Sequence, residues 1–340
     1  MMQFTPILEK LRRHEDLTTA EATDVMGAIM DGEALPSQMA AFLMGLASKG
    51  ERPAEMVGLA RAMRARARAM PETVTPVFDT CGTGGDGANT FNISTAVAIV
   101  LAACGVRVAK HGNRAASSKC GTADVLEALG IDIESPADRV VEALKTAGIG
   151  FFFAQAWHPS MRHVGPTRKE LGIRTAFNLL GPLTNPAGAR RQLVGVPRAE
   201  LTELMARSLG QLGAERAWVV HGADGLDEIS TTGYTKVSEW IDGAVRTFYL
   251  HPADAGIPVA SVPDLRGGTA AENAELMEGL LAGEHGPRRD IVVLNTGAAL
   301  LIAGQAPTVR DGIAQAAEAI DTGRAAATLA AFRQASGKAH

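Results

Sequence analysis

The sequence predicts an α/β protein with a small all-helical unit beside a larger unit built on a mainly parallel sheet. Three observations predict it. Residues 1–70 read as helices alone, strand-like runs alternate with helices from Pro76 onward, and the stretch His158–Pro186 breaks that alternation. Strands separated by helices of this length need crossover connections, so the sheet is mostly parallel and covered on both faces.

In the helical part, Thr5-Pro6 reads as a cap followed by proline at the first helical position. Thr18 with Glu21 fits a capping box, and Ser37 after Pro36 opens a third helix that stops near Gly50. A fourth helix carries Met56, Leu59, Ala60 and Met63 at helical spacing. Its arginines, Arg61, Arg64, Arg66 and Arg68, have no interleaved aromatics and read as a solvated face rather than a nucleic-acid surface.

Beyond Pro76 the expected order is strand Val77–Thr80, helix Ser94–Cys104, strand Val106–Ala109, helix Asp124–Leu129, and a helix opened by Ser135-Pro136. Strands Ile149–Ala154, Gln192–Val196 and Ala217–His221 follow, with a helix from Arg198 before the last. Lys236–Leu250 reads as a hairpin around Asp242-Gly243. Thr269 and Glu272 cap a later helix, Ile291–Leu294 reads as a buried strand, and the end from Asp311 is helical. The segment His158–Pro186, rich in Pro, Gly, Arg and Asn, reads as an insertion packed beside the N-terminal helices.

The 340 residues leave room for two domains, with 46% apolar and 21% charged residues in the ordinary globular range. A net charge of −4 gives no global footprint for nucleic acid or an anionic membrane. Positive charge must therefore be concentrated locally if the ligand is a phosphate ester. Cys81, Cys104 and Cys120 are odd in number and lack metal-ligand spacing, which points to a reducing cytoplasm. The opening MMQFTPILEKLRRHEDL has no signal-peptide apolar block, and Ala96–Ala103 is too short to span a bilayer.

Three clusters carry chemistry. Asp79-Thr-Cys-Gly-Thr-Gly-Gly-Asp-Gly-Ala-Asn-Thr90 follows a strand, and its glycines let backbone N–H groups form a nest for a bulky anion. It matches neither the dinucleotide fingerprint nor a Walker loop. Asn92-Ile-Ser-Thr95 then opens an apolar helix whose N-terminus suits a phosphate, the alternative being an ordinary N-cap by Ser94 or Thr95. Lys110-His-Gly-Asn-Arg-Ala-Ala-Ser-Ser-Lys119 adds three cations, two hydroxyls and an amide after the next strand. Asp227-Glu228 would hold Mg²⁺ beside a bound pyrophosphate, since that ion takes one or two carboxylates plus substrate oxygens. No zinc spacing and no Gly-x-Ser-x-Gly elbow occurs, and Cys81 has no adjacent base, so it reads as structural.

Together these stretches resemble the anthranilate phosphoribosyltransferase family, which joins anthranilate to phosphoribosyl pyrophosphate (PRPP). The resemblance rests on Cys81–Gly87, Phe91–Thr95, Lys110–Ser118, Ala123–Gly130, Thr175–Pro186 and Leu226–Ser230, in order over nearly the whole chain. It implies a nucleoside phosphorylase-like fold with the small helical domain, 1–72 plus about 160–188, hinged to an α/β domain, 73–159 plus 189–340. It also implies a homodimer joined through the helical domains, with Mg²⁺ as cofactor and PRPP and anthranilate as substrates.

Carried over by position, Gly82, Gly85 and Asp86 line the PRPP site, and Gly82 also the acceptor site. Thr90, Asn92, Ile93, Ser94 and Thr95 hold phosphates, with the Ser94 hydroxyl also on Mg²⁺. Lys110, His111, Gly112, Asn113, Arg114, Ala115, Ala116, Ser117 and Ser118 wrap the phosphates, and Thr122 makes a further PRPP contact. Asn113 also faces anthranilate, Arg168 meets its carboxylate, and His111 and His158 wall its channel. Asp227 and Glu228 form the second metal site. Cys120 and Thr122 stand where the family pattern has serines; threonine keeps the hydroxyl, and a thiol bonds more weakly. No covalent nucleophile is expected. A nucleoside phosphorylase fits the glycine and Lys-His-Gly-Asn-Arg pieces less well, and a nucleic-acid-binding relative of the fold has no need of the acidic pair.

Overall fold

The structure, a computed structural model, describes residues 2–115 and 119–337. Four helices come first: α1 (Phe4–Arg12), α2 (Thr19–Met30), α3 (Pro36–Lys49) and α4 (Pro53–Ala65). The Thr18–Glu21 capping box forms as expected, and α3 starts at Pro36 and ends at Gly50. The first helix starts earlier than expected, with Gln3 at its N-cap, so Thr5-Pro6 lies inside the first turn. Proline is tolerated there because the first four N–H groups of a helix have no intrahelical partner.

A buried carboxylate ties this unit together. Glu55 accepts the backbone N–H of Leu17 at 2.8 Å and of Arg52 at 2.8 Å, and pairs with Lys49 at 3.0 Å. It thereby joins the turn before α2 to the start of α4. The arginine face of α4 is less solvated than its composition suggests. Arg64 Nε donates to the Leu183 carbonyl at 2.7 Å and Nη1 to the Leu212 carbonyl at 3.3 Å, while Arg66 pairs with Asp31. Arg61 and Arg68 of that set are exposed, while Arg64 and Arg66 are half-buried.

The rest of the chain alternates: β1 (Phe78–Gly82), α5 (Ile93–Ala103), β2 (Val108–Gly112), α6 (Thr122–Ala128), α7 (Ala137–Thr146) and β3 (Ile149–Phe153). After the single turn of α8 (Ala154–Trp157), the insertion supplies two short α-helices, α9 (Gly165–Leu171) and α10 (Phe177–Leu180), and no strand. Then follow β4 (Arg191–Gly195), α11 (Leu201–Gln211), β5 (Arg216–Gly222), β6 (Thr235–Ile241), β7 (Ala244–Leu250), α12 (Ala270–Leu281), α13 (Pro287–Ala303), α14 (Val309–Asp321) and α15 (Arg324–Ser336).

The seven strands run in the order β3-β2-β1-β4-β5-β6-β7. The first five are parallel, and β5–β6 and β6–β7 are antiparallel, with Ile241 opposite Ala244 across the Asp242-Gly243 turn. Strand order reverses between β1 and β4, which places the ligand-binding crevice of such sheets at their carboxyl ends.

Ile291–Leu294 is not a strand; it is one turn of the 17-residue α13, from Pro287 to the left-handed cap at Gly304. Almost every side of that helix is buried, between α5, α14 and the sheet. A four-residue apolar run carries no period that separates such a helix from a buried strand.

One apolar core lies under α5, α13 and α15. A second joins Phe42, Met26 and Leu59 of the first helices to Val164, Phe177, Leu180 and Leu183 of the insertion, and continues to Val194, Val219 and Met205. Helices α2 and α4 meet at Gly58, where an added Cβ would lie 2.7 Å from Ala22 Cβ, 3.0 Å from Thr23 N, and closer still to the Thr19 carbonyl oxygen. Backbone atoms cannot swing aside. Gly58→Ala gains roughly 1 kcal/mol in helix propensity, against an overpacking cost of about 1–3 kcal/mol. Urea unfolding is expected to show net destabilisation; a higher midpoint would mean that the α2–α4 contact has slack.

Candidate active site

Three loops meet at the carboxyl edge of β1, β2 and β5, beside the end of β4. After β1 comes the glycine loop, after β2 the segment from Asn113, and after β5 the turn carrying Asp227 and Glu228. Asp227 is locked against the strand ends by absent side chains. A Cβ on Gly82 would lie 2.9 Å from its carboxyl carbon, and one on Gly195 would lie 3.1 Å from its Cα. The Gly84 N–H donates to Asp227 Oδ2 at 2.9 Å.

Lys110 is 1% exposed, yet its ammonium reaches this edge. It donates to the Thr80 carbonyl and, at 3.3 Å, to the Ser94 hydroxyl in the first turn of α5. The fully buried Asp79 lies in its field. Asp79 accepts the His111 backbone N–H at 3.2 Å and the Asn185 amide at 2.8 Å. Burial raises its pKa, while Lys110 and these donors pull it back. The Cys81 thiol donates to Asp79 too, and burial pushes its pKa well up, so it is an inert structural thiol.

The helix start behaves differently from an ordinary cap. Asn92 is the N-cap residue of α5 but makes no capping bond; its side chain is held by the Cys120 carbonyl at 3.2 Å and the Asn273 amide at 3.0 Å. The Ser94 N–H is met by Glu228 instead. Thr95 is buried, with its hydroxyl unpartnered, and Ile93 is a core residue that offers only its backbone.

Asp227 is raised to about 7 by burial and by the neighbouring Asp86, and Glu228 is raised by burial, Asp227 and Asp86. Two buried carboxylates raised in this way, with Asp86 beside them, make a site short of positive charge. Among the described residues no group of three or more His, Cys, Asp or Glu side chains forms a metal cage. An all-oxygen pair beside a glycine loop and a helix start fits Mg²⁺, which keeps waters and completes its shell with substrate oxygens. Asp227, Glu228 and the Ser94 hydroxyl are the residues that would hold it.

The His111 and His158 rings lie 5.2 Å apart between centroids and tilted by 54°, both buried. His111 Nδ1 lies 3.0 Å from the Gly181 carbonyl, and His158 is hydrogen-bonded to the backbone of Thr184. A carbonyl needs an N–H, so Nδ1 of His111 carries the proton. The Nε2 atoms of both rings have no partner. Burial pushes His111 down to about 3, helped by His158, and His158 down to about 4, so both are neutral at pH 7.

The remaining expected residues divide. Arg168, in α9, lies 5.0 Å over the Phe177 ring, its pKa lowered by burial, with no ion pair to any described residue. Asn113 is exposed and accepts from Gln155 at 3.4 Å. Arg114 is committed elsewhere: it pairs with Asp124 at 3.0 Å and Glu127 at 2.9 Å. Asp124 also accepts the Ala115 N–H at 2.9 Å. Thr122 begins α6 against Gly112, where a Cβ would meet it at 3.0 Å, and Thr90 bridges to Arg266. Ala116, Ser117 and Ser118 lie outside the described residues.

The sequence reading assigns no site role to three residues that the fold brings here. Asp79 is a charge inside a predicted strand, a signal in itself. Asn185, next to last in the Thr175–Pro186 stretch, links Asp79 to the Ala109 carbonyl at 2.8 Å. Arg174 lies over Gly85, and no spacing rule points to it.

Comparison with known proteins agrees over the full chain. Residues 74–326 match the model for the glycosyl transferase family, a/b domain, and residues 5–67 that for its helical bundle domain. The anthranilate phosphoribosyltransferase of Moorella thermoacetica is 53% identical over 96% of each chain. The crystal structure of the enzyme of that name from Thermus thermophilus superposes with a TM-score of 0.91 at 47% identity, covering 96% of this chain and 98% of that one. The Saccharomyces cerevisiae enzyme in complex with PRPP and Mg gives 0.89 at 27% identity, covering 98% and 97%.

The histidine pair makes a pH prediction. Below about 6.5 the unfolded chain takes up protons that the folded rings refuse until about 3 and 4. Their contribution is full above 6.5 and is lost as pH falls, by roughly 1.4 kcal/mol per histidine per pH unit within that window. Thermal unfolding from pH 7 to 4 is expected to fall less steeply in the His111→Asn/His158→Asn double variant than in the parent. Parallel slopes would remove the assignment.

Proposed function

This chain belongs to the anthranilate phosphoribosyltransferase family, and on that premise we propose that it transfers the 5-phosphoribosyl group of PRPP to the amine of anthranilate. The products are N-(5-phosphoribosyl)anthranilate and pyrophosphate, in a Mg²⁺-dependent step of tryptophan biosynthesis. The observation that carries the reading is the meeting, at the strand reversal, of a glycine loop, a buried ammonium on a helix-start hydroxyl, and a mutually opposed carboxylate set. That combination suits a metal-bound polyphosphate and little else.

The bond between C1 of the ribose and the pyrophosphate oxygen breaks, its electron pair leaving with pyrophosphate. The amine lone pair closes a C–N bond at C1, and the nitrogen proton passes to water. When bound, Mg²⁺ supplies positive charge to the departing oxygens. Lys110 and the N–H groups of the glycine loop add fixed donors there, and preorganised donors of this kind usually lower a barrier more than any other single effect. Gly82, Gly85, Asp86, Thr90, Asn92 to Thr95, Lys110 to Ser118 and Thr122 are the proposed PRPP residues, with Arg114 and Ala115 contributing backbone while the guanidinium stays on α6.

Arg168 receives the anthranilate carboxylate. A guanidinium lowered by burial and lacking a carboxylate partner is suited to a bidentate acid. Gly82, Asn113 and His158 complete the acceptor side. The neutral histidines are too weakly basic to take the amine proton at pH 7, but a bare Nε2 accepts an amine N–H and turns the lone pair toward C1. Fixed geometry of this kind contributes up to ~7–11 kcal/mol in ideal cases.

We also propose the division into a helical domain, 1–72 with about 160–188, and an α/β domain of the remainder. The proposed assembly is a cytoplasmic homodimer joined through helical faces. In support, Leu35 and Met44 of the helical part are 61% and 49% exposed. No helix among the described residues is long and apolar enough to cross a membrane.

Purified protein with PRPP, Mg²⁺ and anthranilate is expected to consume anthranilate fluorescence, and EDTA to stop it; no loss with folded protein would sink the assignment. Arg168→Ala is expected to raise the anthranilate KM at least tenfold with the PRPP KM little changed, and an unchanged anthranilate KM removes its role. Leu35→Asp/Met44→Asp is expected to shift light-scattering mass from dimer to monomer. A dimer that persists places the interface elsewhere.

A further inference from the structure

We propose that Arg174 is a further binding residue of the transfer, holding the pyrophosphate group over the glycine loop and stabilising its charge as it departs. The inference rests on the functional reading above and goes beyond its residue set.

Arg174 lies in the short link between α9 and α10, and its guanidinium is folded down onto the glycine loop. A Cβ on Gly85 would stand 2.5 Å from Arg174 Cζ and closer to Nη1. Gly85 also has φ +82°, so the position needs glycine for its backbone as well as for the space that the guanidinium fills. Despite that seat, Arg174 forms no hydrogen bond or ion pair with any described residue. Asp227 and Asp86 lie in its electrostatic reach without pairing to it, and so does Arg198, of the same sign.

An exposed arginine without a partner is ordinarily a solvated side chain. This one differs in its surroundings. Lys110 has two of its three N–H groups on Thr80 and Ser94, and Arg114 is held by Asp124 and Glu127. Arg174 is the cation over the loop with its donors unspent. Five N–H groups in a rigid fork match two phosphate oxygens at once. The charge that the pyrophosphate oxygens gain as the C1–O bond breaks would appear beneath that fork, where fixed donors act most strongly. The insertion then supplies one arginine to each substrate, Arg168 to the acceptor's carboxylate and Arg174 to the leaving group.

The test is titration calorimetry of pyrophosphate with Mg²⁺ into the full-length protein and its Arg174→Ala and Arg174→Lys variants, beside steady-state kinetics. The expected result is at least tenfold weaker pyrophosphate binding in Arg174→Ala, with a higher KM for PRPP, a lower kcat and an unchanged KM for anthranilate. Lysine should recover part of the loss. Arg174→Gln keeps the stem of the side chain and gives the same readout if the alanine variant fails to fold. Pyrophosphate affinity equal to the parent's, or a rise in the anthranilate KM alone, overturns the proposal. A parent protein that transfers nothing and binds no pyrophosphate overturns the functional reading and this inference with it.

Discussion

The site depends on one buried charge. Lys110 is almost wholly enclosed, and an ammonium taken out of water costs several kcal/mol unless it is paired and hydrogen-bonded. The fold meets that cost from three directions: the Thr80 carbonyl on the neighbouring strand, the Ser94 hydroxyl on the following helix, and the field of Asp79. Each partner is thereby drawn into place. Asp79 in turn fixes the His111 backbone and Asn185, so the charge balance of one lysine sets the spacing of β1, β2, α5 and the end of the insertion.

The strand reversal turns that arrangement into a site. Between β1 and β4 the crossovers leave in opposite directions, which leaves a gap at the carboxyl ends of these strands. Into the gap comes the Asp227 turn, admitted because Gly82 and Gly195, paired in the sheet, have no side chains to exclude it. Carboxylates that would otherwise repel one another are held beside a cationic strand end and a helix start. The result is a strand edge with both signs of charge at close range.

Much of this was legible in the sequence. The capping box at Thr18, the hairpin at Asp242-Gly243 and the parallel strands carry local signals that tertiary packing respects. The glycine loop, Lys110 and Asp227-Glu228 stood out because their residue types do unusual work at strand ends. The misread pieces share a different physics. Ile291–Leu294 lies in a helix buried on nearly all sides, which erases the period that would reveal it. Arg64 lies on a face that looks solvated until Leu183, more than a hundred residues away, packs over it. Arg114 carries the right charge in the right loop, but its guanidinium belongs to carboxylates on α6 that no spacing rule connects to it. Arg174 is brought to Gly85 by the path of the insertion alone.

The second apolar core crosses from the first four helices through the insertion to β4, β5 and α11 without a break. Arg64 pins the same crossing by donating to carbonyls on either side of it, at Leu183 and Leu212. A wide, clam-like opening would tear oil from oil along that line and strand a guanidinium over two bare carbonyls. A displacement that keeps the greasy surface covered costs less than one that bares it to water. Such a seam acts as a bearing rather than a door, and the lubricant is the row of leucine, valine and methionine side chains that also holds it shut.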